Sequence, residues 1–463
     1  LKRAAKVQAS AAHAPKGMQS LDTAFTEPEA EPQGSNAREA LGSRKMSFHS
    51  AVFSMTNTII GSGTLTIPFI FAKCGWLVAN LLALTVLGLT TFSVHLLATT
   101  CDTFASDAVC SFETLGYECC GFKGSIYAEA TFIVGGLGTL TGYLIFISKL
   151  AAQVIGCKPE SSWIPMLCVL VFVIVPMTWP RKIDSLRYAS YLAFLAIAYV
   201  VLMYCWFTFR IGKYDDDPSG EYEYDPVRLA FWTGQSISSV NLLFGAFCVQ
   251  NTCLPIYREM VDRSPRKMVR ATVCAMSIAF IVYEVIGTAG YVLLGGNVKG
   301  NSLLNFDDSF VSVHPWTRVP RDLAKVVMVC SLSLSFPLAL WPCRSAICSV
   351  LLRMREGCSG PARGYQGASD AMFHWVTLAI LLVVAVLAIA TPDVTIPLSL
   401  VNSLAGGSMI FVMPGLFHLA ALRRASCQRS PLRRPAAAMV ALGALCCALG
   451  FILQVRTIVQ QYG

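Results

Sequence analysis

The stretch Asn57-Thr-Ile-Ile-Gly61-Ser62-Gly63-Thr64-Leu-Thr66-Ile-Pro68 lies in an apolar run, with two glycines close together and a proline soon after. Glycine and proline both disfavour a continuous helix. In a lipid bilayer every backbone group freed by a break needs another partner, so broken helices occur where they line a cavity. The stretch therefore predicts a helix broken at Gly61-Ser62-Gly63, provided that its run crosses a membrane.

The composition supports a membrane location. The 463 residues are 55% hydrophobic and 14% charged, with a mean hydropathy of +0.57, far too apolar for a soluble globular protein. Spanning a bilayer takes roughly 20 apolar residues in a helix. We predict an all-α membrane protein with about eleven transmembrane helices, in runs at 48–73, 76–100, 125–156, 161–180, 188–210, 229–257, 270–294, 322–351, 372–391, 394–421 and 436–458.

The chain divides into a polar tail and a membrane domain. Residues 1–45 are rich in Ala, Ser, Pro and Glu, which predicts a disordered tail, and residues 46–463 form the predicted transmembrane domain. Most Lys and Arg residues fall on one side of an eleven-span chain, whereas the acidic stretch 215–225 falls on the other. The positive-inside rule then predicts a cytosolic N-terminus and an outer or lumenal C-terminus.

Charge and cysteine usage exclude other classes of protein. The net charge of +9 follows from a basic cytosolic surface facing anionic membrane lipid, so we expect lipid and not nucleic acid as a partner. Most of the 18 cysteines lie in apolar runs, where they act as small hydrophobes. The chain has no HExxH, GxSxG or paired-carboxylate pattern, which argues against an enzyme. We expect no cofactor.

A second candidate break lies in the run 229–257, at Gly245-Ala246-Phe247. Polar Gln250, Asn251 and Thr252 follow it, and they are costly in mid-membrane unless they face a cavity or another helix. The first and sixth runs are five spans apart, as corresponding elements of a five-plus-five inverted repeat would be. Small-residue helix packing is the alternative for either break alone, and the pairing favours a binding site.

The chemistry of such breaks suits a zwitterion. The helix half that begins near Gly63 directs N–H groups and a positive dipole end at the break, which favours a carboxylate. The preceding half ends in free carbonyl groups, which suit a cation or an ammonium group. An amino acid carries both charges a few ångströms apart.

Four motifs occur in the order found in a known family. The Asn57–Gly63 motif resembles the first helix of the amino acid/auxin permease family, closest to its sodium-coupled neutral amino acid transporters and their vacuolar relatives. Similar likenesses to its sixth helix and following loop, eighth helix and tenth helix lie at 254–259 with 263–268, 335–344 and 408–418. The resemblance implies a leucine-transporter-type fold, a five-plus-five inverted repeat with broken helices 1 and 6 plus one extra helix. It also implies secondary active transport of amino acids by alternating access, coupled to sodium or protons.

The resemblance implies roles for single residues. The backbone implied to hold the substrate carboxylate belongs to Gly61, Ser62, Gly63 and Thr64. The pairing of the two breaks, and not the resemblance, adds Gly245, Ala246 and Phe247 of the sixth run to the predicted site. A sodium site is implied at Asn57 and Ser335, and Ser331 lies one turn before Ser335 on the same face. Interhelical hydrogen bonding or small-residue packing is the alternative for these three residues.

Two further side chains are candidates on other grounds. Tyr143 in the third run could hydrogen-bond a substrate carboxylate, with core packing as the alternative. Glu284 lies in the apolar seventh run, where the family pattern has no carboxylate, and an ionisable group at membrane depth is a functional candidate. It could carry a proton, since desolvation favours the protonated acid. A cation partner or a position near the membrane interface is the alternative.

A second function stays open from the sequence. An amino-acid sensor would bind substrate in the same fold and signal through a cytosolic partner of the tail, without significant flux. Neither the particular amino acid nor the choice between a plasma membrane and a vacuolar or lysosomal membrane follows from the residues.

Overall fold

The computed structural model describes residues 46–104, 111–181, 187–214, 224–232, 234–357, 360, 367–391, 393–425 and 430–462. The tail at residues 1–45 and the acidic residues 215–223 lie outside the described residues. The described chain consists of helices joined by turns, with a single backbone bridge between Met46 and Met260.

The helices follow the predicted runs closely, and we number them as spans in chain order. Nine described helices are long and apolar enough to cross a membrane, and the bent pair Phe48–Ile59 and Gly63–Cys74 makes a tenth. A shorter apolar helix, Trp163–Thr178, stands at the predicted run 161–180 and is the fourth span. The others, from the second span onward, are Trp76–Thr103, Phe122–Ile155, Arg187–Ile211, Gly234–Ala246 with Gln250–Glu259, Pro265–Leu294, Arg318–Glu356, Asp370–Ala390, Thr395–Arg424 and Arg433–Tyr462.

The seventh span shows how local sequence sets the ends of a helix. The Ser264 hydroxyl accepts a hydrogen bond from the Lys267 backbone N–H at 3.2 Å, and Pro265 occupies the first helical position. At the other end, Gly295 adopts φ 64°, and its N–H donates to the Tyr291 carbonyl. A residue with a side chain is strained at positive φ, so glycine is the expected stop signal there.

The third and eighth spans pack along each other and form one part of the core. Glu129 of the third span is fully buried and pairs with Arg353 of the eighth at 2.6 Å. The Ser349 hydroxyl donates to the same carboxylate oxygen at 2.7 Å, and Arg353 also donates to the Ser125 hydroxyl at 2.8 Å. A buried ion pair of this kind needs such extra hydrogen bonds to offset its desolvation cost.

The first, second and seventh spans form another packed group, and the sixth span lies against the first and the tenth. A backbone bridge joins the start of the first span to the end of the sixth. The Met46 N–H donates to the Glu259 carbonyl at 3.1 Å, and the Val261 N–H donates to the Met46 carbonyl at 3.0 Å. This arrangement holds the two interrupted spans side by side.

Two connections contain helices that the apolar runs do not indicate. A short helix, Phe112–Cys120, precedes the third span, with Ser111 as its N-terminal cap. The connection between the seventh and eighth spans contains the helix Asp308–Val313, and Phe310 packs against Phe207 of the fifth span with ring centroids 6.1 Å apart. The fully buried Lys325 donates to the Phe306 carbonyl at 2.6 Å and anchors this connection.

Candidate functional site

The first span is interrupted where the two glycines predict it. The helix Phe48–Ile59 ends, a 3₁₀ turn covers Ser62–Thr66, and the α-helix Ile67–Cys74 follows. The two halves of the span are bent by 47°. The side chain of Ser62 lies outside the described residues, but its backbone begins the 3₁₀ turn. The predicted break is confirmed.

The sixth span is interrupted at the second predicted place. One helix ends at Ala246 and the next begins at Gln250, so that Phe247, Cys248 and Val249 connect them. The Phe247 side chain is fully buried. The Gln250 amide donates to the Ser93 hydroxyl of the second span at 3.2 Å, which gives this polar residue a partner inside the membrane domain. The prediction that this run is broken is also confirmed.

The two breaks touch each other. A Cβ atom built on Gly63 would lie 3.2 Å from both Cα and Cβ of Ala246, and 3.7 Å from the Tyr283 hydroxyl. Carbon atoms in ordinary contact are about 3.5–4.0 Å apart. Glycine at position 63 therefore lets the backbones of the first and sixth spans approach each other closely, and a side chain there would push them apart by a few tenths of an ångström.

A tyrosine of the seventh span joins both breaks. The Tyr283 hydroxyl lies 2.6 Å from the Ile59 carbonyl oxygen and 3.0 Å from the Ala246 carbonyl oxygen. Its ring packs edge-on against Phe247, with centroids 5.2 Å apart and planes at 81°, and the residue is 2% exposed. Ile59 and Ala246 are the last residues of the helices before each break. Tyr283 thus connects equivalent points of the two interrupted spans.

The tenth span approaches the sixth break with an amide. A Cβ atom on Gly245 would overlap the Asn402 side chain, so glycine at this position makes room for the amide. Asn402 begins a π-helical turn, Asn402–Gly406, within the tenth span. Such π turns are rare and frequently mark functional sites. Phe244, one residue before Gly245, also packs edge-on against Phe411 of the tenth span at 5.2 Å.

The predicted carboxylate-binding positions Gly61 and Thr64 differ in their surroundings. A Cβ atom on Gly61 would meet only the Thr58 carbonyl oxygen, at 3.8 Å, so the backbone there faces an open side. Thr64 is fully buried, and its hydroxyl has no hydrogen-bond partner among the described residues. The Gly61 backbone is therefore approachable by a ligand, whereas Gly63 and Thr64 form the wall against the sixth and seventh spans.

The third predicted element of the substrate site, Tyr143, lies against the eighth span. Its ring is 6.4 Å from that of Phe336, at 61°, and the residue is half-buried. One residue before Tyr143, Gly142 lies against Leu398 of the tenth span. The ring contact places Tyr143 of the third span against the eighth, and its binding role stays a prediction.

The predicted sodium ligands lie on the first and eighth spans. The Asn57 side-chain oxygen is buried and has no hydrogen-bond partner among the described residues. Ser331 is 3% exposed and Ser335 is half-buried, one turn apart on the eighth span. The described hydrogen bonds include none that joins either serine to Asn57. Their joint role as a site is likewise still a prediction.

Glu284 faces the second span. One carboxylate oxygen accepts hydrogen bonds from the Trp76 indole N–H and the Thr288 hydroxyl, both at 3.0 Å. The other carboxylate oxygen is buried and has no hydrogen-bond partner within the described chain. The partners are neutral donors, and the position is next to Tyr283 in sequence but on another face of the helix.

Tyr283 and Asn402 contact the junction, the place where the breaks of the first and sixth spans meet. Neither residue is among those that the sequence singles out. Tyr283 precedes the conspicuous Glu284, in an apolar run where a tyrosine gives no distinctive signal. Asn402 is an amide within the apolar run 394–421, and this polar residue at membrane depth is the available clue.

Two paired helix breaks inside a bundle of membrane-spanning helices define a membrane transporter with a leucine-transporter-type fold. The family model for transmembrane amino acid transporter proteins matches residues 44–457. The chain therefore belongs to the transmembrane amino acid transporter family. It is a multi-pass membrane transporter and not an enzyme, as the sequence motifs led us to expect.

Similar proteins agree with this assignment. The sodium-coupled neutral amino acid symporter 2 of Danio rerio is 23% identical over 440 residues, which cover 87% of this chain and 82% of the symporter. Mhp1 in an inward-facing conformation superposes with a TM-score of 0.53 at 15% identity, covering 91% of this chain and 92% of Mhp1. MhsT in complex with L-phenylalanine superposes with a TM-score of 0.50 at 13% identity, covering 87% and 98%. The two structures establish the fold.

Proposed function

We propose that this protein is a secondary active transporter that moves amino acids by alternating access, with the substrate bound where the two helix breaks meet. The observation that carries the proposal is the direct contact of Gly63 with Ala246, closed on one side by Tyr283. The helical segment Gly63–Cys74 presents its N-terminal end at this point, which suits a carboxylate. The carbonyl ends of the preceding halves suit an ammonium group.

The hydrogen bonds between spans support the alternating-access part of the proposal. Within the group formed by spans 1, 2, 6 and 7, Tyr257 of the sixth span donates to Asp102 of the second at 2.6 Å. Trp76 of the second span donates to Glu284 of the seventh at 3.0 Å. Tyr283 adds the first and sixth spans to this group. Two internally bonded groups, one of spans 1, 2, 6 and 7 and one containing spans 3 and 8, are what rocking of one against the other requires.

We propose sodium as the coupling ion, with Asn57 as its side-chain ligand and Ser331 and Ser335 as candidate hydroxyl ligands. A buried amide oxygen without a partner costs free energy, and a hard cation with oxygen ligands would offset that cost. The alternative is a proton carried by Glu284, whose second oxygen is also buried and unpartnered. The Danio rerio relative, a sodium-coupled symporter by name, favours the sodium version.

The deciding experiment is uptake of a panel of labelled amino acids into proteoliposomes, with sodium and pH gradients imposed separately. Uptake driven by either gradient supports a transporter. Binding of amino acids without flux under any gradient would instead establish a sensor, and the N-terminal tail would then be the place to seek a signalling partner.

Two variants separate the coupling ions. Asn57→Ala should raise the sodium concentration that gives half-maximal uptake by about tenfold or more. The control Asn80→Ala, which removes a half-buried amide bonded to the Trp76 carbonyl, should leave this concentration unchanged. Glu284→Gln keeps an oxygen that can accept from the Trp76 indole and cannot carry the proton. Loss of pH-driven uptake in Glu284→Gln, with Asn57→Ala unaffected, would overturn sodium coupling in favour of protons.

A further inference from the structure

The junction of the two breaks brings negative helix ends together. The Ile59 and Ala246 carbonyls close the N-terminal halves of the first and sixth spans, and both lie within hydrogen-bond distance of one point. Carbonyl groups at the C-terminal end of a helix carry the negative end of its dipole. The Ile59 carbonyl already accepts the Gly61 N–H at 2.9 Å, and because a carbonyl oxygen has two lone pairs, both ends can still accept a cation or a hydrogen donor at this point.

The Tyr283 hydroxyl occupies that point. A phenol has a single hydrogen to donate, so the 2.6 Å contact with Ile59 and the 3.0 Å contact with Ala246 must share it. The ring is held edge-on by Phe247 at 5.2 Å, and the residue is 2% exposed, so the hydroxyl has little freedom to move away. Thr64, the residue after Gly63, is also fully buried, and its hydroxyl has no hydrogen-bond partner among the described residues.

We infer that the Tyr283 hydroxyl stands in for a cation at this junction and sets the spacing of the two interrupted spans, which makes Tyr283 a positioning residue of the substrate site. Its effect on transport rests on the proposed function, whereas the junction itself is a property of the protein without substrate. The coupling ion then binds elsewhere. Removal of the hydroxyl would leave the Ile59 and Ala246 carbonyl oxygens facing one point without the tyrosine donor, and oxygen atoms are the ligands that hard cations prefer.

A simpler account gives Tyr283 only the ordinary role of a buried hydrogen-bonded tyrosine. Tyr291 provides the matched control, because it lies on the same helix, is also 2% exposed and uses its hydroxyl to accept the Arg228 backbone N–H at 2.9 Å. Tyr291→Phe and Tyr283→Phe each remove one buried hydroxyl from the seventh span. Only Tyr283→Phe removes it from between two helix ends.

The first test uses purified protein without substrate. Thermal unfolding of wild type, Tyr283→Phe and Tyr291→Phe is followed in sodium, potassium and choline chloride at equal ionic strength. We expect sodium or potassium to raise the midpoint of Tyr283→Phe by about 2–4 °C more than that of wild type or Tyr291→Phe. An equal response of all three proteins to the three salts would overturn the inference.

The second test measures transport. Tyr283→Phe should raise the KM for the amino acid about tenfold at low sodium, and this KM should return toward the wild-type value as sodium increases. Tyr291→Phe should show no such sodium-dependent recovery. An unchanged KM would also overturn the positioning role.

If wild type transports no amino acid, the proposed function fails, while the unfolding test still decides whether Tyr283 stands in for a cation at the junction. If Tyr283→Phe purifies poorly, recovery of folded protein in sodium but not in choline supports the inference, and failure in both refutes it.

Discussion

Substitution of Gly63 by alanine tests whether close contact between the two breaks is required for transport. The new Cβ would lie 3.2 Å from two carbon atoms of Ala246, one of which belongs to the backbone. Since ordinary contacts between carbon atoms are about 3.5–4.0 Å, the spans must separate by about 0.3–0.8 Å. Neither a rotamer change nor a flexible side chain can absorb that displacement at Ala246.

Overpacking of this kind costs typically about 1–3 kcal/mol. We expect the cost of Gly63→Ala to fall on the contact of the 3₁₀ turn with the sixth span, because the Tyr283 hydroxyl lies at an ordinary contact distance of 3.7 Å from the added atom. A loss of about 1.4 kcal/mol in forming the closed junction corresponds to a tenfold loss in apparent substrate affinity. Gly63→Val, with a branched Cβ, should abolish uptake while the protein still inserts in the membrane.

The assay is initial-rate uptake in proteoliposomes, normalised to reconstituted protein. Gly135→Ala is the matched control, because its Cβ would also lie 3.2 Å from a neighbouring carbon, Cβ of Ala405, but between the third and tenth spans. Gly63→Ala should lose at least about tenfold in uptake at low substrate, and Gly135→Ala much less. Wild-type uptake by Gly63→Ala would refute the requirement for contact at the junction.

Two other predictions concern stability and sidedness. Arg353→Met should lower the unfolding free energy by about 3–5 kcal/mol, because it leaves Glu129 buried and unpaired. Arg355→Met, at an exposed position of the same helix, should change it little. Similar unfolding midpoints for the two variants would contradict the role of the pair. An impermeant maleimide should modify exposed Cys120 only from the cytosolic face, with Cys119 unreactive because burial raises the pKa of its thiol to about 12. Modification of Cys120 in intact cells, read from the labelled peptide, would reverse the predicted orientation.

The sequence predicts the spans and their breaks because both depend on local composition. Apolar runs end within a few residues of the helices, as at Arg187–Ile211 for the predicted 188–210. The break at Gly61 follows from residues that disfavour a helix wherever they occur. The break in the sixth span is less marked locally, and its position five spans after the first identifies it.

The partners at the junction cannot be predicted in this way because they are distant in sequence. Tyr283 is 224 residues from Ile59 and 37 from Ala246, so no local pattern links its hydroxyl to their carbonyls. Glu284 is the more conspicuous residue of the pair, yet it bonds to Trp76 and Thr288 and faces the second span. Adjacent residues of a helix point about 100° apart, so Tyr283 and Glu284 face different neighbours. Packing of the spans decides which neighbour each one meets.

The same contacts explain why the junction would distinguish amino acids as a class more readily than one amino acid from another. In the proposed function, the charged groups of the substrate are recognised by backbone groups of the breaks such as those at Gly61, and these groups are the same whatever side chain the substrate carries. Selectivity would then come from side chains at the edge of the junction, and Asn402 is a polar side chain beside the sixth break. Asn402→Leu should thus alter the preference among amino acids in the uptake panel while transport itself persists, and loss of all uptake would instead place Asn402 in the machinery of the break.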